Sequence, residues 1–276
     1  MRTITLNSRT EKKLASLEAD LPHAVLLAGD PGVGLATIAK SIAGKELLSC
    51  IEPIDNKERV NHDTGTISVS AIRELYKETR AKSVVRRIVV IDDADRMSTG
   101  AQAAFLKLLE EPSKNTHFIL TSHSPLTLLP TIRSRVQTVT VELLSIEQTK
   151  TFIDTLGVND TRTRVQLEYL ATGLPAELMR LTSDATYFKQ RAEIMADTRT
   201  FLTGTAYQKL LVIHAYYQSR AKTLQLLDSM LAVSKRSLSE KPQESLAIQL
   251  AQLLKAREKI EANCNARLQL MALVVQ

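Results

Sequence analysis

Residues 24–39 read Ala-Val-Leu-Leu-Ala-Gly-Asp-Pro-Gly-Val-Gly-Leu-Ala-Thr-Ile-Ala, a buried strand, a glycine turn and the opening of a helix. This stretch constrains the fold most. It has the frame of a phosphate-binding loop, G-x-x-x-x-G-K-[ST], in which glycines let backbone N–H groups point inward, the Lys reaches the β- and γ-phosphates, and the hydroxyl holds Mg²⁺. Gly29 and Gly34 stand at the required spacing, with Gly32 between them. The next two residues are Leu35 and Ala36, so the charge and the hydroxyl are both missing. Thr37 comes one residue late, which on a helix turns its side chain by about 100° from the metal position. The frame of a nucleotide site remains without its chemistry.

A second stretch, residues 87–95, carries four consecutive β-branched residues (Ile88 to Ile91) followed by Asp92 and Asp93. Such a run indicates a strand buried on both faces. Ligands of parallel α/β sheets bind at the carboxyl ends of strands. In an ATPase the first acid would hold Mg²⁺ and the second, usually Glu, would polarise water. The plainer alternative is a helix N-cap, and Ser98 offers a further cap for the helix that follows.

The rest of the chain is placed around these two strands. An amphipathic helix with Leu14, Leu17 and Leu21 ends at Pro22, and the helix after the glycine loop is expected to run to about Cys50. A polar stretch over 52–65 leads to a second strand at 66–69. A helix follows, with Ser70 as its N-cap and Arg73 at the third helical position. A fourth strand is expected over 116–121 and a fifth over 136–141. From Ser145 onward only helical patterns remain: 147–156, 161–171 and 176–182, with Gly157 and Gly173 at the turns, then 207–219, 221–235 and 242–275 with a break near Lys255. No internal repeat and no low-complexity linker interrupts them. Leu268, Leu270, Met271, Val274 and Val275 are enough to serve a bundle core and leave some for a partner.

Composition excludes several classes. A chain of 276 residues with 44% hydrophobic content builds real cores, and no run of 18 apolar residues or leader-like amino terminus is present. The expected compartment is the cytoplasm, with no membrane contact. Cys50 and Cys264 lie far apart and outside any C-x-x-C pair, so neither a disulfide framework nor a zinc site is implied. A net charge of +6 and a pI near 9.3 permit nucleic-acid contact, while 4% aromatic residues and no Trp leave little for base stacking. Arg80, Lys82, Arg86 and Arg87 gather in one place, where a solvated loop is the plainer reading.

Ala94-Asp95, Leu109-Glu-Glu-Pro112, Pro130-Thr-Ile-Arg-Ser-Arg135 and the strand after them match, in order and spacing, the AAA+ subunits of bacterial clamp loaders. The chain most resembles the delta prime family of DNA polymerase III, whose phosphate loop is typically degenerate. Residues 261–270 are similar to the family's last collar helix. The resemblance implies an α/β AAA+ (RecA-like) domain with a five-stranded parallel sheet over 1–143, a three-helix lid over 144–184 and a helical collar for oligomerisation over 185–276.

The resemblance further implies a subunit that does not hydrolyse ATP itself. It would support ATP-dependent loading of the sliding clamp onto primed DNA, with Arg135 acting in trans on a neighbour's ATP. ATP and Mg²⁺ would then sit on neighbouring subunits, the partners being tau/gamma-like and delta-like, the clamp reached indirectly and primer-template DNA met through its phosphates. Gly173-Leu-Pro-Ala-Glu177 occupies the second-sensor place, where hydrolysing relatives carry Arg or Lys; Glu177 has the opposite sign. The family's four-cysteine zinc module is absent, so no zinc and no other metal is expected. Two alternatives stand beside this reading. One is an active AAA+ ATPase of a clamp-loader-like or DNA-repair complex. The other is a dinucleotide enzyme, for which Gly32-Val-Gly-Leu-Ala-Thr37 gives only G-x-G-x-x-T.

Overall fold

The computed structural model describes residues 5–62, 64–80 and 84–274, without the side chains at 239 and 240; Lys82 and Val275 lie outside the described residues. The chain falls into two compact units, Met1–Thr182 and Ser183–Gln276. In the first, α1 (Ser8–Ala19) precedes β1 (Ala24–Ala28), α2 (Leu35–Ala43), β2 (Leu47–Ile51), α3 (Val69–Arg80) and β3 (Arg87–Ile91). Then come α4 (Thr99–Glu110), β4 (Thr116–Ser122), α5 (Pro130–Arg133), β5 (Gln137–Thr140) and the short helices α6 (Ile146–Thr155), α7 (Thr161–Ala171) and α8 (Pro175–Ser183).

The five strands form one parallel sheet in the order β2-β3-β4-β1-β5. Period-two alternation splits their side chains between two cores. Ala24, Leu26, Val89, Ile91, Phe118 and Leu120 face α3, α4 and α5, while Val25, Leu27, Ile88, Val90, Ile119 and Val139 face α1 and α2. Burial on both faces explains the uninterrupted apolar runs that mark β1 and β3 in the sequence. Phe105 of α4 meets Phe118 edge-on at 5.3 Å between centroids, and His23 meets the same ring at 5.4 Å.

Three local expectations fail. The helix after the glycine loop stops at Ala43, where Gly44 takes φ +48° and returns its N–H to the Lys40 carbonyl. A C-terminal glycine of this kind ends helices routinely. The second strand is therefore Leu47–Ile51, paired with β3, and not residues 66–69. Thr66 and Ile67 make only isolated bridges, to Ile54 and Met97. As an edge strand with Leu47 37% and Leu48 40% exposed, β2 shows no buried-run signal. Finally, α3 starts at Val69, with Ser68 Oγ accepting the Ala71 N–H at 3.3 Å, so Ser68 and not Ser70 is the cap and Arg73 is not at the third position. Ser98 does cap α4, accepting the Ala101 N–H at 3.2 Å.

The second unit holds α9 (Ala185–Thr203), α10 (Ala206–Tyr216), α11 (Arg220–Glu240), α12 (Glu244–Glu261) and α13 (Ala266–Ala272). Phe201, Ile213, Leu227, Met230, Leu253, Ile260 and Leu270 are among its core residues. Within it the Tyr216 hydroxyl donates to Asp197 at 2.8 Å. The helix α12 runs straight through Lys255; the break comes at Asn263, whose φ is +64°, before Asn265 caps α13. Of the last helix's apolar residues, Leu270 is fully buried, and Met271 and Val274 pack against the unit's own core. Leu268, 62% exposed, is left outward. Among the described residues no helix is long and apolar enough to cross a membrane.

The three short helices join the first unit through the glycine loop. Gly173 takes φ +83°, its carbonyl accepts the Leu144 N–H at 3.1 Å, and Leu174 enters the α1/α2 core. The first turn of α8 then meets the loop directly, the N–H groups of Ala176 and Glu177 both donating to the Gly32 carbonyl at 2.9 and 3.2 Å. A Cβ on Gly32, where φ is +91°, would sit 3.1 Å from Glu177 Cβ. At Gly44 a Cβ would meet nothing within 4 Å. Left-handed backbone costs a non-glycine residue roughly 1–2 kcal/mol. We therefore expect Gly32→Ala to lower unfolding stability by more than Gly44→Ala does, measured by urea titration; equal losses would mean that the lid does not press on the loop.

Candidate functional site

The strand register decides which residues meet at the carboxyl edge of the sheet. Ala28 pairs with Ser122 and Ile91 with Leu120, so Gly29, Asp92, Asp93 and His123, which follow those strands, are neighbours. Thr121 ties them together. Its hydroxyl donates to Asp92 Oδ1 at 2.6 Å and accepts the Asp93 N–H at 2.8 Å. His62 Nδ1 donates to Asp93 Oδ2 at 2.7 Å and lies 3.9 Å from Asp92 Oδ2. His123 donates from Nδ1 to the Gly29 carbonyl at 2.8 Å, with Nε2 3.6 Å from Asp93 Oδ1. Asp95 accepts the His123 N–H at 3.2 Å. Beyond Asp92, Glu52 at the end of β2 is paired with Lys40 Nζ at 2.9 Å.

Burial pushes the Asp92 carboxyl above the ordinary carboxylate range, the Thr121 hydroxyl opposes that, and the charge of Asp93 adds to the rise. The hydrogen bond to Glu52 raises Lys40, which stays an ammonium. Burial also raises the Cys50 thiol, which makes it a poor nucleophile. The cap alternative for the two acids fails. Asp93 precedes a 3₁₀ turn but makes no side-chain cap bond, and its φ of +50° turns it toward the histidines.

The glycine loop keeps its turns, with Gly32 and Gly34 at φ +91° and +92°. Leu35, at the place of the phosphate-binding Lys, is buried with Val33, Ile38 and Leu174. Ala36 is half-buried, and Thr37 is exposed to solvent on α2. Glu177 is half-buried at the first turn of α8, over Gly32.

Arg135 lies elsewhere. Gln137, the first residue of β5, pairs with Val25, four residues before Gly29, and Arg135 lies in the turn before β5, beyond the amino end of that strand. At 3.3 Å per residue the start of β5 is already about 13 Å from the level of Gly29 along the strands. Its guanidinium is exposed, bonded to Glu110 Oε1 at 3.0 Å and to the Thr131 carbonyl at 3.1 Å. The described members of the basic cluster are engaged locally: Arg80 stacks over Tyr76, Arg86 pairs with Glu46 at 2.6 Å, and Arg87 donates to the Thr79 carbonyl.

Sequence reasoning placed Asp92 and Asp93 beside the glycine loop and missed Glu52, His62, Thr121 and His123. For His123 a signal existed, since it directly follows a predicted strand. For His62 there was none. Its loop carries no hydrophobic period and is held by backbone bonds such as Asn61 N–H to Pro53 at 2.9 Å, with Gly65 so close to Asn61 and Pro53 that no side chain fits.

Residues 53–145 match the family described as "DNA polymerase III, delta subunit". The chain is 25% identical over 280 residues to DNA polymerase III subunit delta' of Haemophilus influenzae, spanning 87% of this chain and 84% of that protein. It is 28% identical over 201 residues to the subunit of the same name from Bacillus subtilis, spanning 65% and 60%. In fold it is similar to a DNA polymerase III gamma subunit-related protein from Thermotoga maritima, with a TM-score of 0.54 at 17% identity, covering 97% of this chain and 98% of that one. The five-stranded parallel sheet, the glycine loop and these likenesses agree, and the chain is similar to clamp-loader subunits, those named delta' among them.

Proposed function

We propose that this chain is a nonhydrolysing AAA+ subunit of the DNA polymerase III clamp loader, part of the polymerase holoenzyme, which supports ATP-dependent clamp loading without turning over ATP itself. The observation that carries this reading is the position of Arg135. Its exposed guanidinium lies before β5, whose first residue is already about 13 Å along the strands from the level of Gly29, and is turned to Glu110 and Thr131, so it is not placed to serve a phosphate bound at its own loop. It is free to serve one presented by an adjacent subunit. A guanidinium is always charged and offers a planar fork of donors, so it neutralises charge developing on a γ-phosphate without proton transfer. Glu110 holds it by a single exposed ion pair, a contact worth little and easily exchanged for a phosphate.

The partners under this reading are ATP-binding tau/gamma-like and delta-like subunits, which hold ATP and Mg²⁺. Residues 185–276 form the collar that keeps the chain in the ring. The sliding clamp is reached through the other subunits, and primer-template DNA is met through salt-dependent phosphate contacts. The setting is cytoplasmic. The chain's own loop is unsuited to ATP, because Leu35 fills the place of the Lys with buried hydrocarbon and the α8 amides that overlie the loop are bonded to Gly32. The four-cysteine zinc module of relatives has no counterpart in a chain with two cysteines.

Two outcomes follow. Isothermal titration of the isolated chain with Mg²⁺-ATP gives no binding in the low micromolar range, and Leu35→Lys alone restores no turnover, since Ala36 and Glu177 remain; a low micromolar dissociation constant for the unaltered chain sinks the proposal. In a reconstituted complex with ATP-binding partners, Arg135→Ala leaves assembly intact and sharply lowers ATP turnover and clamp loading. An arginine finger in trans is worth roughly 10³–10⁵ in rate at the site it serves. An unchanged rate in an intact complex would leave Arg135 a structural residue.

A further inference from the structure

The side chains gathered around Asp92 have a use that the missing phosphate chemistry does not exhaust. We propose that Glu52, His62 and Asp92 form a binding site for one divalent transition-metal ion of the zinc or cobalt type, taken up without nucleotide. One ligand atom from each of the three lies within 4.8 Å of the other two. In a tetrahedral site with bonds of about 2.1 Å, ligand atoms stand roughly 3.4 Å apart, so closure asks no pair to approach by more than about 1.4 Å, and His62 Nδ1 and Asp92 Oδ2, at 3.9 Å, by about 0.5 Å. His62 is on an exposed loop and can make that adjustment by rotating its ring.

Charge points the same way. Glu52, Asp92 and Asp93 bring three carboxylates to a place where Lys40 is the neighbouring ammonium. Asp92 is 4% exposed; its Oδ1 accepts from Thr121, and its Oδ2 lies 3.9 Å from His62 Nδ1. A cation placed between Asp92 and the imidazole would offset the cost of burying that carboxylate. A metal ion on Nδ1 displaces the proton that Nδ1 now shares with Asp93, and leaves Asp93 beside the ion as a further ligand or as acceptor for a bound water. Mixed imidazole and carboxylate donors favour zinc, cobalt or nickel over magnesium, which prefers all-oxygen octahedra. The Thr121 hydroxyl orients Asp92 as an outer partner does in established metal sites.

The test uses the full chain, stripped with a chelator and titrated with Zn²⁺ and with Co²⁺ by calorimetry and visible absorption. One equivalent is expected to bind, with a cobalt spectrum of nitrogen and oxygen ligation and no thiolate charge-transfer band. Thr121→Val is expected to weaken binding by roughly 10- to 100-fold, the effect of losing an outer-shell partner, and His62→Ala and Asp92→Asn by more. Because His62 is exposed, its variant keeps the fold, which circular dichroism checks if Asp92→Asn does not. Cys264→Ser and Cys50→Ser are expected to bind as the unaltered chain does. Absence of binding, undiminished affinity in His62→Ala, or dependence on either cysteine would overturn the assignment. None of these readouts involves other subunits, so the outcome is independent of the role proposed for the chain in a complex.

Discussion

Two hydrogen bonds onto one carbonyl, from the Ala176 and Glu177 amides to Gly32, set the character of the first unit. The first turn of a helix carries unpaired N–H groups and a positive end of the helix dipole, which makes it a natural place for an anion. Here two of those donors are spent on a neutral carbonyl of the very loop that would hold the anion. Gly32 can accept them because φ +91° turns its carbonyl outward, a conformation only glycine takes without strain. Beneath that contact Leu35, Val33 and Leu174 share a core, so the substitution of Lys by Leu has been absorbed as packing. The loop has become a seat for the lid.

How much of this was legible in the sequence depends on how each residue is held. Both β1 and β3 are buried on two faces, and continuous apolar runs announce such strands. The loop glycines are legible because positive φ demands them. β2 is not, since an edge strand with exposed leucines looks like the tail of the preceding helix, and Gly44, the residue that ends the helix, was passed over. At the site, Asp92 and Asp93 follow a strand and were found by that rule. His62 and Glu52 come from a loop and an edge strand, and reach Asp92 only through the strand order β2-β3-β4-β1-β5, which no local pattern encodes. The last helix was expected to serve a bundle core and leave some apolar residues over; Leu270, Met271 and Val274 do serve the second unit's core, and Leu268 is left exposed.

The same parallel sheet separates two chemistries. Its carboxyl edge gathers carboxylates and imidazoles beside the glycine loop, and toward its amino edge Arg135 is paired with Glu110. Under the proposed reading Arg135 acts away from the glycine loop, so Leu35 and Ala36 at the places of a Lys and a hydroxyl do not bear on it.

The central claim, that the lid seals the glycine loop from within, is tested most directly by amide hydrogen exchange at Ala176 and Glu177. The account predicts that both amides are protected in the chain alone, as strongly as neighbouring helical amides, and that excess Mg²⁺-ATP leaves their exchange unchanged. Rapid exchange at both positions, or protection that appears only when ATP is added, would contradict it.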